Sequence, residues 1–322
     1  MAEENTSTTT STLPKNFFDS TSFDWQAYLR YRPTYTKEFY NLILDYHRSK
    51  EPTAQFLLTH DIGTGPGQVA EHFTQYFTSV IASDASAPYA AVARQRLEQS
   101  HPGKTTVVQF PAELLAEKFP AGEADLLTAA ECLPLMNREK AFSSFAHLLK
   151  PGGTLAIWFY GRPFFVDPDM SKAQELYEKI STAAFSTAKP FKGGVMENAW
   201  TIIASWFDEA HFPRDEWEKV ERLKVNPDRE MTFLPAVELD YVPEWENGIR
   251  DDEKIEEKTD REWWARTGGV DFVRGFVDAN MPWKKEYENE EVKGWYEELE
   301  KELRGKEHKV SWPVILMLAT RK

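Results

Sequence analysis

The most informative stretch of this chain is FLLTHDIGTGPG, residues 56–67. An apolar run followed by an acidic residue and three alternating glycines is typical of a buried strand that turns sharply into a helix. Glycine leaves room for a ligand to lie against bare backbone, where a Cβ would collide with it. The stretch therefore predicts a nucleotide-like cofactor at the carboxyl end of a first strand.

Residues 54–161, around this stretch, alternate short apolar runs with helical patterns. Such alternation is typical of a parallel sheet whose strands are joined by crossover helices. We expect strands at 56–62, 80–84, 105–110, 125–131 and 154–159, and helices at 67–76, 87–99 and 137–149.

The composition changes beyond residue 161, where nine of the eleven tryptophans lie. Aromatic residues at helical spacing are usually core, but so many in one region also suit a pocket for a flat substrate. Pro313 cannot donate a ladder hydrogen bond, so we expect it at an edge or a bulge. In this half, helical patterns cover 168–186, 198–210, 258–280 and 288–304, and strand-like runs cover 219–225 and 310–318.

Three segments follow from these patterns. We expect a disordered tail at 1–16 and a lid segment with a cofactor-binding core at 17–161. The remainder, 162–322, is expected to form substrate-cap helices and to return two strands to the core, at about 219–226 and 310–319.

Charge and cysteine content limit the partners that we expect. The formal net charge of −14 disfavours nucleic acid, because phosphate binding needs a basic face. The single cysteine, Cys132, excludes an internal disulfide and indicates a reducing compartment. No apolar run approaches the roughly 20 residues that span a bilayer. We predict a cytoplasmic protein that acts on a small molecule, with no membrane or metal partner and with a solvated acidic run at 251–257.

The glycine spacing distinguishes between cofactors. A phosphate-binding P-loop would end in Gly-Lys-Ser/Thr, which this loop lacks. A dinucleotide loop would need glycine where Gln68 stands. The observed Asp-x-Gly-x-Gly-x-Gly resembles the loop of S-adenosylmethionine-dependent methyltransferases. The alternative is a tight turn that binds nothing.

Two further strand ends support a cofactor site. Asp84 ends the second strand, where a carboxylate can accept hydrogen bonds from both hydroxyls of a ribose. Its alternative role is to cap the following helix. At the end of the third strand, the carboxylate of Glu113 or the adjacent backbone at Ala112 could pair with an adenine edge. Glu113 could equally be a first-turn helix residue.

Taken together, these segments resemble class I methyltransferases, and specifically fungal enzymes similar to trans-aconitate methyltransferase. The implied fold is α/β: a Rossmann-like sheet of seven strands, mostly parallel with the last strand antiparallel between its neighbours, and a largely helical cap. The resemblance rests on YLRYRPTY at 28–35, DIGTGPG at 61–67, SDAS at 83–86, TAAEC at 128–132, LKPGGTLAIW at 149–158 and VSWPVIL at 310–316.

With the pattern above, this resemblance implies that S-adenosylmethionine is the cofactor. Tyr28 and Arg32 belong to an amino-terminal segment that closes over the cofactor in the family, and they are candidates for contacting its methionine carboxylate or the substrate. The remaining expected cofactor-binding residues are Asp61, Gly63, Gly65, Gly67, Asp84, Ala112, Glu113 and Glu131.

The chain departs from the family where the reaction should occur. After Ala-Glu-Cys the family typically carries His-Trp-Phe, but this chain continues with Leu133 and Pro134. Near the cap, the family's Arg-Thr-Trp-Ser is replaced by RGFV at 274–277. Both changes favour a more apolar reaction centre. We expect the substrate pocket to include Leu133, Trp158, Tyr160 and Trp283.

The sequence leaves the catalytic base unidentified, although Glu131 and Tyr28 are the candidates. Each of the seven histidines is better explained as a packed or surface residue. The predicted activity is in-line methyl transfer, with O-methylation of a largely apolar or aromatic metabolite. The alternatives are a methyltransferase fold recruited for a cyclisation or rearrangement, and a cofactor-binding regulator without turnover.

Overall fold

A computed structural model describes residues 24–49, 54–190, 192–280 and 287–322. The tail expected at 1–16 and the expected pocket residue Trp283 lie outside these ranges. The helices are α1 Trp25–Tyr31, α2 Lys37–Arg48, α3 Gln68–Phe73, α4 Ala87–Ser100, α5 Leu115–Lys118, α6 Arg138–Leu148, α7 Ser171–Ser186, α8 Val195–Ala204, α9 Val270–Asn280 and α10 Glu290–Glu302. The strands are β1 Leu58–Ile62, β2 Ser79–Asp84, β3 Thr105–Gln109, β4 Ala124–Ala130, β5 Leu149–Tyr160, β6 Phe164–Phe165, β7 Trp217–Val225, β8 Lys254–Lys258, β9 Arg266–Gly268, β10 His308–Ser311 and β11 Val314–Arg321.

The main sheet has the order β3-β2-β1-β4-β5-β11-β7-β8. Strands β1 to β5 pair in parallel, while β11 runs antiparallel between β5 and β7. This confirms the α/β fold with an antiparallel last strand. The sheet has eight strands rather than the expected seven, because β8 pairs in parallel with β7 at the edge. Four of the five β8 residues are charged and its side chains are largely exposed, which suits an edge strand that must not pair with another chain.

The strand expected at 310–318 is two strands in two sheets, so that prediction was wrong. β10 pairs with β6 and β9 in a small sheet, and β11 pairs in the main sheet. Trp312 and Pro313 separate them. Pro313 has no amide hydrogen to continue a ladder, and its carbonyl accepts a hydrogen bond from Gly161 N at 2.9 Å. The proline thus lies where the chain passes from one sheet to the other.

The helix expected at 258–280 begins only at Val270, so its first part was also wrong. The chain instead forms β8, a turn and β9 before α9. Asp260 explains the turn, because its carboxylate accepts hydrogen bonds from the amides of Glu262 and Trp263 at 3.2 and 3.1 Å.

The acidic run at 251–257 is not wholly solvated. Glu253 forms an ion pair with Arg222 at 2.6 Å, and both side chains have an exposed fraction of 0%. Arg222 also donates to the carbonyls of Phe207 and Ala210. Buried charges need such partners, since desolvation is otherwise costly.

The described residues contain no group of three or more His, Cys, Asp or Glu side chains placed to hold a metal ion. Nor do they include a helix of the length and apolar character that crossing a membrane requires.

The parallel strands place the ends of β1, β2, β4 and β5 at one edge of the sheet. α1 lies over this edge and packs against α9 of the cap. Gly275 in α9 permits that packing, because a Cβ there would lie 2.5 Å from the ring of Tyr31. The replacement of the family's Arg-Thr-Trp-Ser by RGFV thus coincides with the docking of α1.

Candidate active site

The loop after β1 needs glycine for two different reasons. Gly63 and Gly65 both have positive φ, +63° and +54°. A Cβ on Gly63 would lie 2.6 Å from Cβ of Cys132, so packing alone requires glycine there. A Cβ on Gly65 would meet no atom within 4 Å, although the residue itself is buried. Open space beside a buried backbone is what a bound ligand needs.

Asp61 holds this loop in place. Its buried carboxylate accepts hydrogen bonds from the hydroxyls of Thr64 and Thr128, at 2.5 and 2.8 Å, and from Ala70 N at 3.1 Å. Burial raises the pKa of Asp61 to about 6 despite these donors. Its two oxygens already accept three hydrogen bonds from the chain itself, so the carboxylate of Asp61 fixes the conformation of the loop.

Asp84 joins the loop to the end of β2. One carboxylate oxygen accepts from Gly65 N and the other from Ser86 N, both at 2.9 Å. Each oxygen has a second lone pair, which leaves capacity for hydroxyl donors of a ligand. Burial raises the pKa of Asp84 to about 6. The N-cap of α4 is Ser86, so the capping role considered for Asp84 was wrong.

Ala112 and Glu113 lie in a short 3-10 helix after β3, Ala112–Leu114. One oxygen of Glu113 accepts from Asn137 N at 2.9 Å, which ties this turn to the start of α6. Ala112 is buried. Both residues therefore lie at the expected strand end.

A compact polar group lies where α1 crosses the ends of β4 and β5. Arg32 donates to the Tyr28 hydroxyl at 3.2 Å, and its guanidinium lies 4.6 Å from the centre of the Tyr28 ring. The guanidinium is 5.9 Å from the centre of the Tyr160 ring, and it also donates to Asn280 at the end of α9. Within the described ranges, Arg32 Nε is buried and has no hydrogen-bond partner.

Glu131 completes this group. Its backbone has φ of +62°, which is uncommon for a residue with a side chain. The carboxylate accepts from Tyr160 N at 2.8 Å and so bridges the ends of β4 and β5. Burial raises the pKa of Glu131 well above its usual range, while the nearby Arg32 charge opposes that rise. Such a carboxyl holds its proton more tightly than an exposed one.

Aromatic rings form one wall beside the polar group. The Tyr35 ring centre lies 5.3 Å from that of Trp158 and 5.2 Å from that of Trp264. Phe39 also packs on Trp158 at 5.2 Å. Trp158 and the expected pocket residue Leu133 are each 1% exposed and belong to the hydrophobic core. Tyr160 is equally buried but lies beside Arg32.

Three members of the site escaped sequence analysis. Tyr35 was within the quoted YLRYRPTY segment, so the motif could have indicated it. Trp264 and Asn280 come from the cap, more than 200 residues from Arg32 along the chain, and no local pattern marks them.

The histidines have partners elsewhere. His60 contacts the Ser83 hydroxyl at 3.0 Å, and burial lowers its pKa to about 3. His47 bonds to Thr154 at 2.7 Å, and His147 to the carbonyl of Phe119 at 3.1 Å. His72 stacks on Tyr40 with ring centres 3.5 Å apart, and burial lowers its pKa to about 4. These contacts are those of packed side chains.

Comparison with known proteins identifies the family. The family described as "Methyltransferase domain" matches residues 60–157. Methyltransferase cfoB from Aspergillus candidus is 38% identical, over 92% of this chain and 94% of that protein. Methyltransferase pgmE from Aspergillus terreus is also 38% identical, over 92% and 93%. A candidate type II methyltransferase structure from Anaeromyxobacter dehalogenans shares the fold, with a TM-score of 0.56 and 15% identity over 90% of this chain and 97% of that one.

The chain belongs to the class I S-adenosylmethionine-dependent methyltransferases. It is an enzyme of that class, and its cofactor is S-adenosylmethionine.

Proposed function

We propose that this enzyme methylates an oxygen atom of a small, largely apolar or aromatic metabolite. The observation that supports this most is the polar group of Tyr28, Arg32, Glu131 and Tyr160 beside an aromatic wall. It combines one carboxyl, one guanidinium and two phenols; Tyr160 is buried, and the other three residues are partly buried. Such a site suits a flat substrate with one reacting hydroxyl.

The cofactor fits the glycine-loop edge of the sheet. S-adenosylmethionine supplies a methyl group that is activated by its positively charged sulfonium. Gly65 offers open space against bare backbone, and Asp84 has lone pairs free for the ribose hydroxyls. Ala112 and Glu113 border the position expected for the adenine. The unpaired Nε of Arg32 suits the methionine carboxylate, since a buried guanidinium recognises carboxylates well. Asp61 acts through the loop that it holds.

The charges around the loop suit a cationic ligand. Asp61, Asp84 and Glu131 all lie close enough to Cys132 to add to the rise in its pKa that burial causes. Three carboxyls in one buried region favour a nearby positive charge. The same burial keeps Cys132 a thiol, hydrogen-bonded to the carbonyl of Ile62 at 3.3 Å, so it serves packing.

Glu131 is the residue we propose as general base. An alcohol or phenol becomes a better nucleophile as its proton is removed, and burial makes the Glu131 carboxylate a stronger base because it raises the pKa of that group. Arg32 and Tyr28 would position the substrate oxygen. The rearrangement hypothesis rested on the replacement of the family's His-Trp by Leu133 and Pro134, and no further observation favours it.

The division of the chain remains a proposal of the same kind. We place the lid and cofactor core at 17–161, and the substrate cap with two returning strands at 162–322. The small sheet of β6, β10 and β9 lies within that cap.

The test is release of S-adenosylhomocysteine with a panel of phenols and hydroxylated aromatic acids, with the product's methyl group located by NMR. Glu131→Gln keeps an oxygen that can accept from Tyr160 N, so we expect it to fold and to bind S-adenosylhomocysteine. Its kcat should fall about 100-fold, the usual contribution of a general base. Glu175→Gln, an exposed change on α7, is the control. A carbon- or nitrogen-methylated product would refute O-methylation, and an unchanged kcat would refute the role of Glu131.

A further inference from the structure

Helix α1 crosses the edge of the sheet where the cofactor is expected. At its start, the ring of Trp25 packs edge-on against Tyr89 in the first turn of α4, with ring centres 4.3 Å apart. At its other end, the guanidinium of Arg32 lies 5.9 Å from the ring centre of Tyr160, the last residue of β5. The ends of β1 and β4 lie between these two contacts, because the strand order is β2-β1-β4-β5. Arg32 therefore lies at the same edge as the glycine loop.

The cap contributes to the position of α1. All residues of α1 are described, and none of them is buried. Tyr31 packs on Gly275 of α9, where a Cβ would lie 2.5 Å from the tyrosine ring. The carbonyl of Arg30 accepts a hydrogen bond from Arg266 of β9 at 3.2 Å. Isolated helices shorter than about 12 residues are marginal in water, so α1 needs such contacts. The cap thus helps to hold α1, and with it Arg32, over the edge of the sheet.

Asn280, the last residue of α9, contacts the guanidinium itself. Arg32 Nη2 donates a hydrogen bond to Asn280 Oδ1. The other half of the same amide is also engaged, because Asn280 Nδ2 donates to the carbonyl of Phe276 at 2.7 Å. An arginine can only donate and a carbonyl can only accept, so one orientation of the amide satisfies both partners. The amide is therefore fixed by its own helix with its oxygen toward Arg32.

The guanidinium of Arg32 is held on two sides and keeps donors for a ligand. Nη1 donates to the Tyr28 hydroxyl of α1 at 3.2 Å, and Nη2 donates to Asn280 of the cap. A guanidinium carries more N–H groups than these two hydrogen bonds use. Arg32 is partly exposed, so a ligand at this edge can reach it. A planar guanidinium held in one orientation is suited to bind a carboxylate through two parallel N–H groups.

We propose that Asn280 is a positioning residue for the cofactor, which holds the Arg32 guanidinium in the orientation that binds the methionine carboxylate of S-adenosylmethionine. This rests on the cofactor contact proposed above for Arg32. Asn280 acts only through Arg32 and does not itself touch the cofactor. Cofactor affinity consequently depends on the docking of the substrate cap against α1, although the glycine loop and Asp84 belong to the other half of the chain.

The experiment compares two ligands that differ only in the carboxylate, by calorimetry on the full chain. One is S-adenosylhomocysteine, and the other is S-adenosyl-3-thiopropylamine, the same molecule without its carboxylate. We expect the wild type to bind S-adenosylhomocysteine at least about tenfold more tightly than the amine, as for a charge-assisted hydrogen bond. Arg32→Met should abolish this preference.

Asn280→Leu removes the hydrogen bond to Arg32 and keeps a side chain of similar volume. Its Kd for S-adenosylhomocysteine should rise about fivefold, as expected for one hydrogen bond, while its Kd for the amine stays unchanged. Asn280→Ala tests the same loss with a smaller side chain and should give the same result. The double variant Arg32→Met/Asn280→Leu should bind S-adenosylhomocysteine as Arg32→Met does, because Asn280 then has no guanidinium to position.

Asn289→Leu is the matched control. The Asn289 side chain caps α10, where its oxygen accepts a hydrogen bond from Val292 N at 2.9 Å. Its substitution should lower the unfolding midpoint in urea and leave both Kd values unchanged. This control separates a loss of stability in the cap from a loss of orientation at Arg32.

Three results would overturn the role of Asn280: an unchanged Kd for S-adenosylhomocysteine in both Asn280 variants, an equal loss of affinity for the two ligands, or a double variant that binds more weakly than Arg32→Met. A wild type that binds both ligands equally would overturn the cofactor contact of Arg32 and this role with it. O-methylation is tested separately, because these measurements contain no methyl acceptor. A carbon- or nitrogen-methylated product would refute the proposed acceptor atom and leave the role of Asn280 standing.

Discussion

Gly65→Ala should separate the fold of the glycine loop from its role in binding. The new Cβ meets no protein atom within 4 Å, so the folded chain has no steric clash to relieve. The remaining cost is the positive φ of +54°, which an L-residue tolerates poorly. We expect the free energy of unfolding to fall by about 1–2 kcal/mol. If the open space is where the cofactor lies, the methyl group takes up volume that the ligand needs.

The loss of affinity should be larger than this strain alone explains. Forcing one extra carbon into a filled space costs about 1–3 kcal/mol, which corresponds to a roughly 5- to 150-fold weaker Kd for S-adenosylhomocysteine. Calorimetry would measure the affinity, and urea denaturation the stability.

Gly103→Ala is the matched control. Gly103 also has positive φ, +74°, and no atom within 4 Å of its Cβ position, but it is exposed on the turn before β3. Gly103→Ala should lower the free energy of unfolding by a similar amount and leave the Kd for S-adenosylhomocysteine unchanged. Wild-type affinity in Gly65→Ala would show that the cofactor does not occupy the space beside Gly65, and equal losses of affinity in both variants would point to a general effect of strain.

Three further predictions follow from the site and from the packing of α1 on α9. Asp84→Asn should weaken S-adenosylhomocysteine binding at least about tenfold, because an amide cannot accept both backbone hydrogen bonds and ribose hydroxyls. Asp125→Asn is the control. Asp125 is a buried residue of β4 whose carboxylate accepts hydrogen bonds from two backbone amides, both at 2.9 Å. Its substitution should lower the unfolding midpoint in urea without changing the affinity for S-adenosylhomocysteine. The pKa of Asp84 is about 6, so the carboxylate is lost as pH falls through 6; titration calorimetry should show the affinity dropping between pH 7 and 5 in the wild type and a flatter profile in Asp84→Asn. Gly275→Ala should destabilise the chain by about 1–3 kcal/mol through contact with Tyr31, whereas Gly294→Ala, at a helical glycine with open space, should stabilise it by up to about 1 kcal/mol in thermal unfolding. Equal shifts would contradict the packing described for α1 and α9.

Much of the cofactor half could be predicted from the sequence. The expected bounds of β1 to β4 agree with the structure to within two residues, because each strand is a short apolar run bounded by turn residues. β5 begins five residues earlier than expected, at Leu149. Asp84 lies beside Gly65 as its place at a strand end suggested, since parallel strands bring their carboxyl ends together.

The cap was harder to predict, and the errors have physical causes. Pro313 lies between two strands that look like one apolar run, and only their pairing partners separate them. β8 is charged and exposed, so it lacks the apolar alternation from which a strand could be predicted. The helix expected over 258–280 starts later than predicted, because a turn held by Asp260 and a short strand come before it.

What the sequence by itself determined is the class of fold and the cofactor. Both depend on local signals: an apolar strand, glycines that admit a ligand, and an acidic residue at the next strand end. Only the tertiary structure decided what surrounds the reaction site. Arg32 contacts Asn280 and Tyr35 packs on Trp264 because helices and strands far apart along the chain pack together. Those contacts arise from burial and shape, which no local pattern encodes, and they are what we expect to select the substrate.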